Sequence, residues 1–211
     1  MVRYLDRTEA GELLAALVAA EVSGPAVVLG VPRGGVVVAV PVARELRAPL
    51  DVVVPRKVCA PGNPELGLGA VAPGVRLLDD RLIERLGVRP EYLESEIARE
   101  EAEIVRRTAR YRGGRPPVAL AGRTAIVVDD GVATGGTAFA ALAWARAQGP
   151  AGVVFAAPVG PGDTVARLGR ACDAIVVPLQ PSSFFAVGQF YEIFDQTTDE
   201  EVRAALGVAA P

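Results

Sequence analysis

Apolar segments of two kinds alternate along the chain. One kind is a short continuous run, rich in valine and isoleucine, that ends at small or acidic residues and is typical of a strand buried on both faces. Five such runs predict strands, at residues 25–31, 50–57, 124–130, 151–159 and 173–179. The other kind has helical spacing, as in residues 34–46, where a helix is predicted although Pro41 lies inside it. This alternation predicts an α/β fold with a Rossmann-like parallel sheet of about five strands and helices on both faces.

The segment between the second and third predicted strands has a different character. Residues 59–74 are dense in glycine and proline and predict a flexible loop, with a short hairpin leading toward residue 80. A long charged helix is predicted from Pro90, because proline suits a first helical turn and a narrow apolar stripe follows it. The stripe consists of Leu93, Ile97, Ile104 and Tyr111.

We expect a single domain over residues 1–211. Its parts are a core at about 25–58 and 118–180, a flexible loop and helical insertion at about 59–117, and a small C-terminal hood at about 181–211, joined by an amphipathic N-terminal helix.

Composition narrows the class of protein. The chain is 51% hydrophobic and 22% charged, which suits one buried core. Its net charge of −3 does not favour a nucleic-acid partner. No apolar run reaches the roughly 18 residues of a membrane span, and acids precede the first apolar stretch, unlike a secretory signal. The two cysteines share no metal or redox spacing, so we expect a cytoplasmic setting.

Two residue types limit the chemistry. The chain has no histidine, so any general acid or base must be a carboxylate, a lysine or the substrate, and histidine-ligated metals are excluded. Lys57 is the one lysine among 22 basic residues. Either drift or a need for a compact ammonium explains why this position is not arginine.

Three loops follow predicted strands, at residues 30–35, 55–63 and 129–137, and should converge at one edge of the sheet. In the third, Asp129 and Asp130 can accept hydrogen bonds from vicinal hydroxyls. The small residues after them expose main-chain N–H groups at a helix N-terminus, which favours an anion. Such a unit could hold a diol and a phosphate together, the two ends of a ribose 5-phosphate.

A second pair of acids, Asp79 and Asp80, serves as an internal comparison. It lacks the glycines and hydroxyls and is most simply a helix cap with an acid in the first turn. Two adjacent acids alone therefore indicate little, whereas the acids with their loop indicate a ligand.

Residues 127–137, VVDDGVATGGT, resemble the signature of type I phosphoribosyltransferases. In that family the acids bind the 2′ and 3′ hydroxyls of 5-phosphoribosyl 1-diphosphate (PRPP), and the loop binds its 5′-phosphate. The resemblance implies ribose-binding and catalytic roles for Asp129 and Asp130. It implies 5′-phosphate binding by Gly131, Val132, Ala133, Thr134, Gly135, Gly136 and Thr137. Over roughly residues 5–205 the order of motifs is similar to that of small bacterial members whose acceptor is not settled.

The resemblance extends to the other two loops. The family has a short pyrophosphate loop after the first strand, often with a cis peptide bond, which implies this role for Arg33, Gly34 and Gly35. Arg56 and Lys57 resemble the Arg-Lys pair that orotate and adenine phosphoribosyltransferases place beside pyrophosphate, which implies catalytic and pyrophosphate-binding roles. The following loop departs from those enzymes, since it contains Asn63 and Glu65 and no further lysine.

Residues 181–194 hold five of the chain's aromatic residues. In the family a variable hood near the chain ends holds the acceptor base, so Phe185 and Tyr191 are candidates for stacking on a planar acceptor. A hydrophobic plug or a dimer surface explains the same residues equally well.

The resemblance implies an enzyme that moves ribosyl 5-phosphate from PRPP to a nitrogen acceptor, with release of pyrophosphate. A nucleobase is favoured as acceptor, while a non-nucleobase amine also fits. Mg²⁺ would enter with the donor, a homodimer is possible, and neither a nucleic-acid nor a membrane partner is expected. The alternative is a regulator that binds PRPP or a nucleotide without turnover. A dinucleotide enzyme is excluded because residues 30–35 do not read G-x-G-x-x-G.

Overall fold

The computed structural model describes residues 3–208 and contains two sheets. The strands are β1 Ala26–Gly30, β2 Leu50–Val52, β3 Arg56–Ala60, β4 Asn63–Ala72, β5 Val75–Leu78, β6 Thr124–Val128, β7 Gly152–Ala156 and β8 Ala174–Val176. The helices are α1 Arg7–Glu21, α2 Gly34–Glu45, α3 Asp80–Arg85, α4 Pro90–Arg112, α5 Gly136–Ala147, α6 Gly162–Leu168 and α7 Asp199–Ala205, with a 3₁₀ helix at Val187–Phe190.

The larger sheet has five parallel strands in the order β2-β1-β6-β7-β8. Successive side chains of β1 enter two different cores. Val27 and Leu29 pack on the side of α5, whereas Ala26 and Val28 pack on the side of α1 and α2. Both faces are therefore covered by helices, which explains the continuous apolar strands and confirms the predicted parallel sheet.

The helix predicted over residues 34–46 forms as α2, with Pro41 inside it. Helix α1 crosses α2 closely at Gly11, where an added Cβ would lie 2.7 Å from the carbonyl oxygen of Val38 and 3.0 Å from the ring of Pro41. Glycine at this point lets the two backbones approach each other.

The strand predicted over residues 50–57 is wrong in its second half. Strand β2 ends at Val52, and the chain then enters the second sheet, which is antiparallel with the order β3-β4-β5. The flexible loop predicted over 59–74 is also wrong, because most of it is strand β4. An added Cβ at Gly69 would collide with the main chain of Leu77 on β5, so this glycine serves close strand approach rather than a loop.

Helix α4 follows its predicted bounds, from Pro90 to a left-handed glycine at Gly113. Ile97, Ile104 and Tyr111 of its predicted stripe are buried, and Leu93 packs beside them against strands β3 and β4 and helix α7. Asp79 caps α3 as predicted, since its carboxylate accepts the Leu82 N–H at 3.0 Å.

The two terminal segments pair with each other beside the sheet. The Tyr4 N–H donates to the Phe190 carbonyl at 2.8 Å, the Glu192 N–H donates to the Tyr4 carbonyl at 2.8 Å, and the Tyr4 hydroxyl donates to the Pro158 carbonyl at 3.0 Å. Over residues 3–208, no helix combines the length and the apolar character that crossing a membrane requires.

Candidate active site

The loops after β1 and β6 meet because these strands are neighbours in the sheet. Val31 donates its N–H to the Val128 carbonyl at 2.8 Å. The first two residues of α2 also lie close to the loop after β6. An added Cβ on Gly35 would lie 2.8 Å from both the Asp129 Cα and the Val128 carbonyl oxygen. An added Cβ on Gly34 would collide with the Asp130 carboxylate. These two glycines therefore bring the start of α2 against the two acids.

The two acids have different surroundings. Asp129 accepts the main-chain N–H of Asp130 on its Oδ1 atom at 2.9 Å. Burial, and secondarily the charge of Asp130, raises the pKa of the Asp129 carboxyl well above its usual range. The Asp130 Oδ2 atom instead forms an ion pair with the Arg7 Nε atom at 2.7 Å.

Sequence reasoning missed Arg7. Its Nη1 atom also donates to the Asp195 carbonyl at 2.7 Å, and its guanidinium carbon lies 3.9 Å from the centre of the Phe194 ring. The Tyr191 hydroxyl donates to the main-chain carbonyl of Asp130 at 2.5 Å. Both terminal segments therefore hold Asp130, and no local motif indicates this because Arg7 and Asp130 are 123 residues apart.

The loop after the acids is fixed by helix α6. The Thr164 hydroxyl donates to the Ala133 carbonyl at 2.9 Å, and the Arg167 Nη2 atom donates to the Thr134 carbonyl at 3.0 Å. In a trans peptide the N–H points opposite to the carbonyl, so the N–H groups of Thr134 and Gly135 are directed away from α6. Gly135 has a φ of 85° and leads directly into α5.

A cavity of about 340 Å³ lies at this helix start, and we call it the phosphate-loop cavity. It is lined by Lys57, Gly67, Gly69, Thr134, Gly136 and Thr137. Lys57 comes from β3 and is exposed, so its ammonium is available to an anion bound at the N-terminus of α5.

Arg56 is not brought to this cavity. Neighbouring residues of a strand point to opposite faces, and the Arg56 Nε atom forms an ion pair with the Glu100 carboxylate of α4 at 2.6 Å. Glu100 is buried and also pairs with Arg99 at 2.8 Å. Arg56 and Lys57 are thus directed to opposite faces of β3, and the expected role of Arg56 at pyrophosphate stays a prediction.

Arg33 lies at the start of α2, and its Nη1 atom is 3.8 Å from the Asp199 carboxylate of α7. The Pro32–Arg33 peptide bond is cis. The Tyr111 hydroxyl donates to the same carboxylate at 2.8 Å. Burial, followed by this hydrogen bond, raises the pKa of Tyr111 to about 12. Arg33 is thus held beside α7 at the edge where the strands end.

The two acceptor candidates differ in exposure. Tyr191 is buried, with its ring centre 5.6 Å from that of Tyr4 and 5.0 Å from that of Phe194. Burial raises the pKa of Tyr191 above its usual range. The Phe185 ring is 89% exposed, whereas the neighbouring Phe184 stacks on Phe190 at 5.3 Å. Tyr191 therefore packs the terminal segments together, and Phe185 is the ring that remains open to a ligand.

The other residues singled out in the second loop have a local role. The Asn63 side chain accepts the N–H groups of Glu65 and Leu66 at 3.1 and 3.2 Å, which closes the turn at the start of β4. Glu65 is exposed at this turn.

The fold and this site define a class of protein: an α/β domain with paired acids and a glycine-rich loop at the carboxyl edge of its parallel sheet. A family model described as "Phosphoribosyl transferase domain" matches residues 5–186. The chain belongs to this family.

Two curated relatives from Mycobacterium tuberculosis are named "Putative phosphoribosyl transferase" MT0597 (strain CDC 1551 / Oshkosh) and Rv0571c (strain ATCC 25618 / H37Rv). Each is 48% identical over 208 residues, which is 98% of this chain and 47% of the relative. The chain thus spans about half the length of the curated relatives it matches.

Two solved structures are similar in fold to this chain. TT1426 from Thermus thermophilus is 46% identical, with 97% of this chain and 98% of that chain covered and a TM-score of 0.82. The AQ2163 protein from Aquifex aeolicus is 12% identical, with coverage of 97% and 87% and a TM-score of 0.52, and is similar in fold alone.

Proposed function

We propose that the chain transfers ribosyl 5-phosphate from PRPP to a nitrogen acceptor and releases pyrophosphate. The observation that carries this proposal is the phosphate-loop cavity, where the chain's one lysine faces the N-terminus of α5. The family membership reported above supports the same donor.

In this proposal the donor spans the edge where the strands end. The 5′-phosphate accepts hydrogen bonds from the N–H groups of Thr134 and Gly135 and from the Thr137 hydroxyl, and the positive end of the α5 dipole favours its charge. The ribose hydroxyls donate to Asp129 and Asp130. The main chain of the remaining loop residues packs closely around the 5′-phosphate. These residues are Gly131, Val132, Ala133 and Gly136.

We assign two cations to the leaving pyrophosphate: Arg33 at the start of α2, and Lys57, whose side chain extends from β3 beside the phosphate-loop cavity. The glycosidic C1′–O bond breaks with its electron pair going to pyrophosphate, and the acceptor nitrogen bonds to C1′ and loses a proton to solvent. The sugar carbon becomes cation-like during this exchange. Asp130, oriented by Arg7 and by the hydroxyl of Tyr191, is our candidate for stabilising that charge.

Mg²⁺ fits this site as a partner of the donor. Within residues 3–208 no group of three or more candidate side chains could hold a metal ion. In this proposal donor oxygens would coordinate the ion, and Asp129 and Asp130 would be available as protein carboxylates. When bound, it would supply neutralisation of the diphosphate charge.

For the acceptor we propose a planar nitrogen heterocycle. The exposed Phe185 offers a stacking surface close in sequence to Tyr191, whose hydroxyl donates to the main-chain carbonyl of Asp130. The test is a screen for pyrophosphate release with purines, pyrimidines and simple amines. Release with planar heterocycles only, reduced by Phe185→Ala, is the expected result.

Calorimetry with PRPP and Mg²⁺ tests the site itself. The double variant Asp129→Asn/Asp130→Asn should bind about 100-fold more weakly than wild type, because two charge-assisted hydrogen bonds are weakened. Asp79→Asn/Asp80→Asn is the matched control, since it changes the other pair of acids and asparagine caps a helix equally well. A folded wild type that binds no PRPP would overturn the proposal.

One observation favours the regulator as a second candidate. Arg56, which the family resemblance places beside pyrophosphate, is held by Glu100 instead. A regulator would bind PRPP in the calorimeter with the same dependence on the acids, yet release no pyrophosphate with any acceptor in the screen.

A further inference from the structure

A second cavity, of about 780 Å³, shares no residue with the phosphate-loop cavity, and we call it the α4 cavity. It is bounded by α4, by the end of β2 and the two residues after it, by the turn between β4 and β5, and by the end of α5. The proposed transfer reaction does not use it. Its volume lies within the range of small-molecule sites, which is roughly 300–1,000 Å³.

The α4 cavity is elongated and apolar along its middle. One wall is a stripe of α4 with helical spacing that runs from Glu101 to Arg112. The eleven helical steps from Glu101 to Arg112 span about 16 Å. Within the stripe lie Ile104, Val105 and Ala109, and the facing walls contain Val52, Val53, Val54, Ala72 and Trp144.

A buried hydroxyl in this wall has no partner. The Thr108 Oγ1 atom is shielded from solvent and, over residues 3–208, is the one buried side-chain polar atom without a hydrogen bond. Leaving a buried hydroxyl unpaired costs free energy, and most such groups in proteins are paired. Because solvent does not reach this atom, a ligand in the cavity would not reach it either, so Thr108 is part of the wall and not a polar anchor.

The two ends of the stripe differ in charge. Glu101 is paired with Arg76 at 2.7 Å, and Arg112 is paired with Asp51 at 2.9 Å. Arg115, which also lines the cavity, donates its Nε–H to the Arg112 carbonyl at 3.2 Å and has no ion-pair partner among residues 3–208. The uncompensated charge at this cavity is therefore positive and lies near the C-terminal end of α4.

From these features we propose that the α4 cavity binds an elongated amphiphile with one anionic group. The apolar body lies along Ile104, Ala109 and Trp144, and the anionic group pairs with Arg115. A medium-chain carboxylate has this chemistry. The site is separate from the PRPP site, so the proposal does not depend on the proposed function.

Trp144 gives a direct readout, because it is the chain's one tryptophan and lines this cavity. We would titrate 11-bromoundecanoate, whose bromine quenches tryptophan on contact, and then displace it with undecanoate. Saturable quenching with one site per chain, reversed by undecanoate, is expected. Arg115→Gln should weaken binding about fivefold, whereas Thr108→Val, which removes only a hydroxyl closed to the cavity, should leave it unchanged.

Ala109→Phe should abolish the quenching by filling the cavity, while Ala98→Phe on an exposed face of the same helix should leave it unchanged. Unchanged far-UV circular dichroism and urea unfolding midpoints in both variants show that they are folded. Absence of quenching, or equal quenching in Ala109→Phe, would overturn the proposal. So would a dimer in sedimentation whose formation is lost in Ala109→Phe, because a second copy would then cover the cavity.

Discussion

Lys57 and Arg56 are adjacent in sequence but face opposite sides of β3. Lys57 reaches the phosphate-loop cavity, whereas Arg56 pairs with the buried Glu100. We therefore expect Lys57→Gln to weaken PRPP binding about 10- to 100-fold, as is usual for a lost bond to a charged group. Lys57→Arg should recover part of this loss, because charge is kept but the compact ammonium is not.

Arg56→Gln is the matched control for Lys57. It should change PRPP affinity less than about twofold, but lower the free energy of unfolding by about 1–3 kcal/mol, because Glu100 loses one of its two arginine partners. Calorimetry and urea unfolding of the three variants separate the two effects. Weaker binding in Arg56→Gln than in Lys57→Gln would reverse our assignment.

The Asp129 carboxyl lowers the free energy of unfolding by an amount that depends on pH. Its pKa is raised in the folded chain, chiefly by burial, so the folded state holds the proton more tightly than the unfolded state does. Stability therefore falls as pH rises from the usual aspartate range through the folded pKa, and the ionised carboxyl is destabilising at neutral pH.

The variant Asp129→Asn should remove this cost while keeping the Oδ1 acceptor for the Asp130 N–H. We expect it to unfold at a higher urea concentration than wild type near pH 7. The difference should shrink near pH 4.5, closer to the usual aspartate range, because the raised pKa favours the protonated form of the folded carboxyl. Urea titrations at the two pH values measure this. A variant less stable than wild type at neutral pH would contradict the interpretation.

At the scale of elements, the glycines near the site serve two different needs. An added Cβ on Gly35 meets the main chain of β6 at 2.8 Å, whereas one on Gly136, the first residue of α5, has nothing within 4 Å. Gly35→Ala should thus cost about 1–3 kcal/mol of stability by overpacking. Gly136→Ala should preserve or raise stability by up to about 1 kcal/mol, since alanine favours helix.

PRPP affinity distinguishes these glycines further. Gly136 lines the phosphate-loop cavity, so an added methyl group there should weaken PRPP binding although the fold is intact. Thermal unfolding with and without PRPP compares the two variants. If Gly136→Ala binds as wild type does, the 5′-phosphate does not approach this position.

Sequence predicted well those elements whose pattern of apolar residues depends only on which side chains are buried. Strands β1 and β6 are apolar at nearly every position because helices cover both faces, and α4 shows its caps and stripe directly. Strand β4 was missed because its glycines serve contact with β5, which sequence cannot distinguish from a loop. The pairing of Arg56 with Glu100 depends on the packing of α4 on β3, which sequence does not show.

The candidate site, too, could be predicted only where its residues are close in sequence. The acids and their loop are contiguous, so one motif indicated them. Arg7 and Tyr191 reach Asp130 only because the terminal segments pair beside the sheet, and no periodicity carries that information.

At the scale of the whole molecule, the two sheets share one apolar core. Ala70 and Ala72 of β4 pack in the same cluster as Val27 and Leu29 of β1 and Trp144 of α5. Separating the sheets would expose this cluster to water, at a cost of about 25 cal/mol for each Å² of apolar surface. The chain should therefore unfold as a single cooperative unit.

This prediction is checked by following urea unfolding with two probes, the fluorescence of Trp144 and far-UV circular dichroism, which should give the same midpoint. PRPP at about 100 times its Kd should add about 2.7 kcal/mol and shift both curves equally, since its proposed contacts come from both sheets. Two separate transitions, or a shift of the fluorescence curve alone, would mean that the antiparallel sheet with Lys57 opens independently of the parallel core. In that case Lys57 would lie beside the phosphate-loop cavity in only a fraction of the molecules. The apparent PRPP affinity would then be the intrinsic affinity multiplied by this fraction.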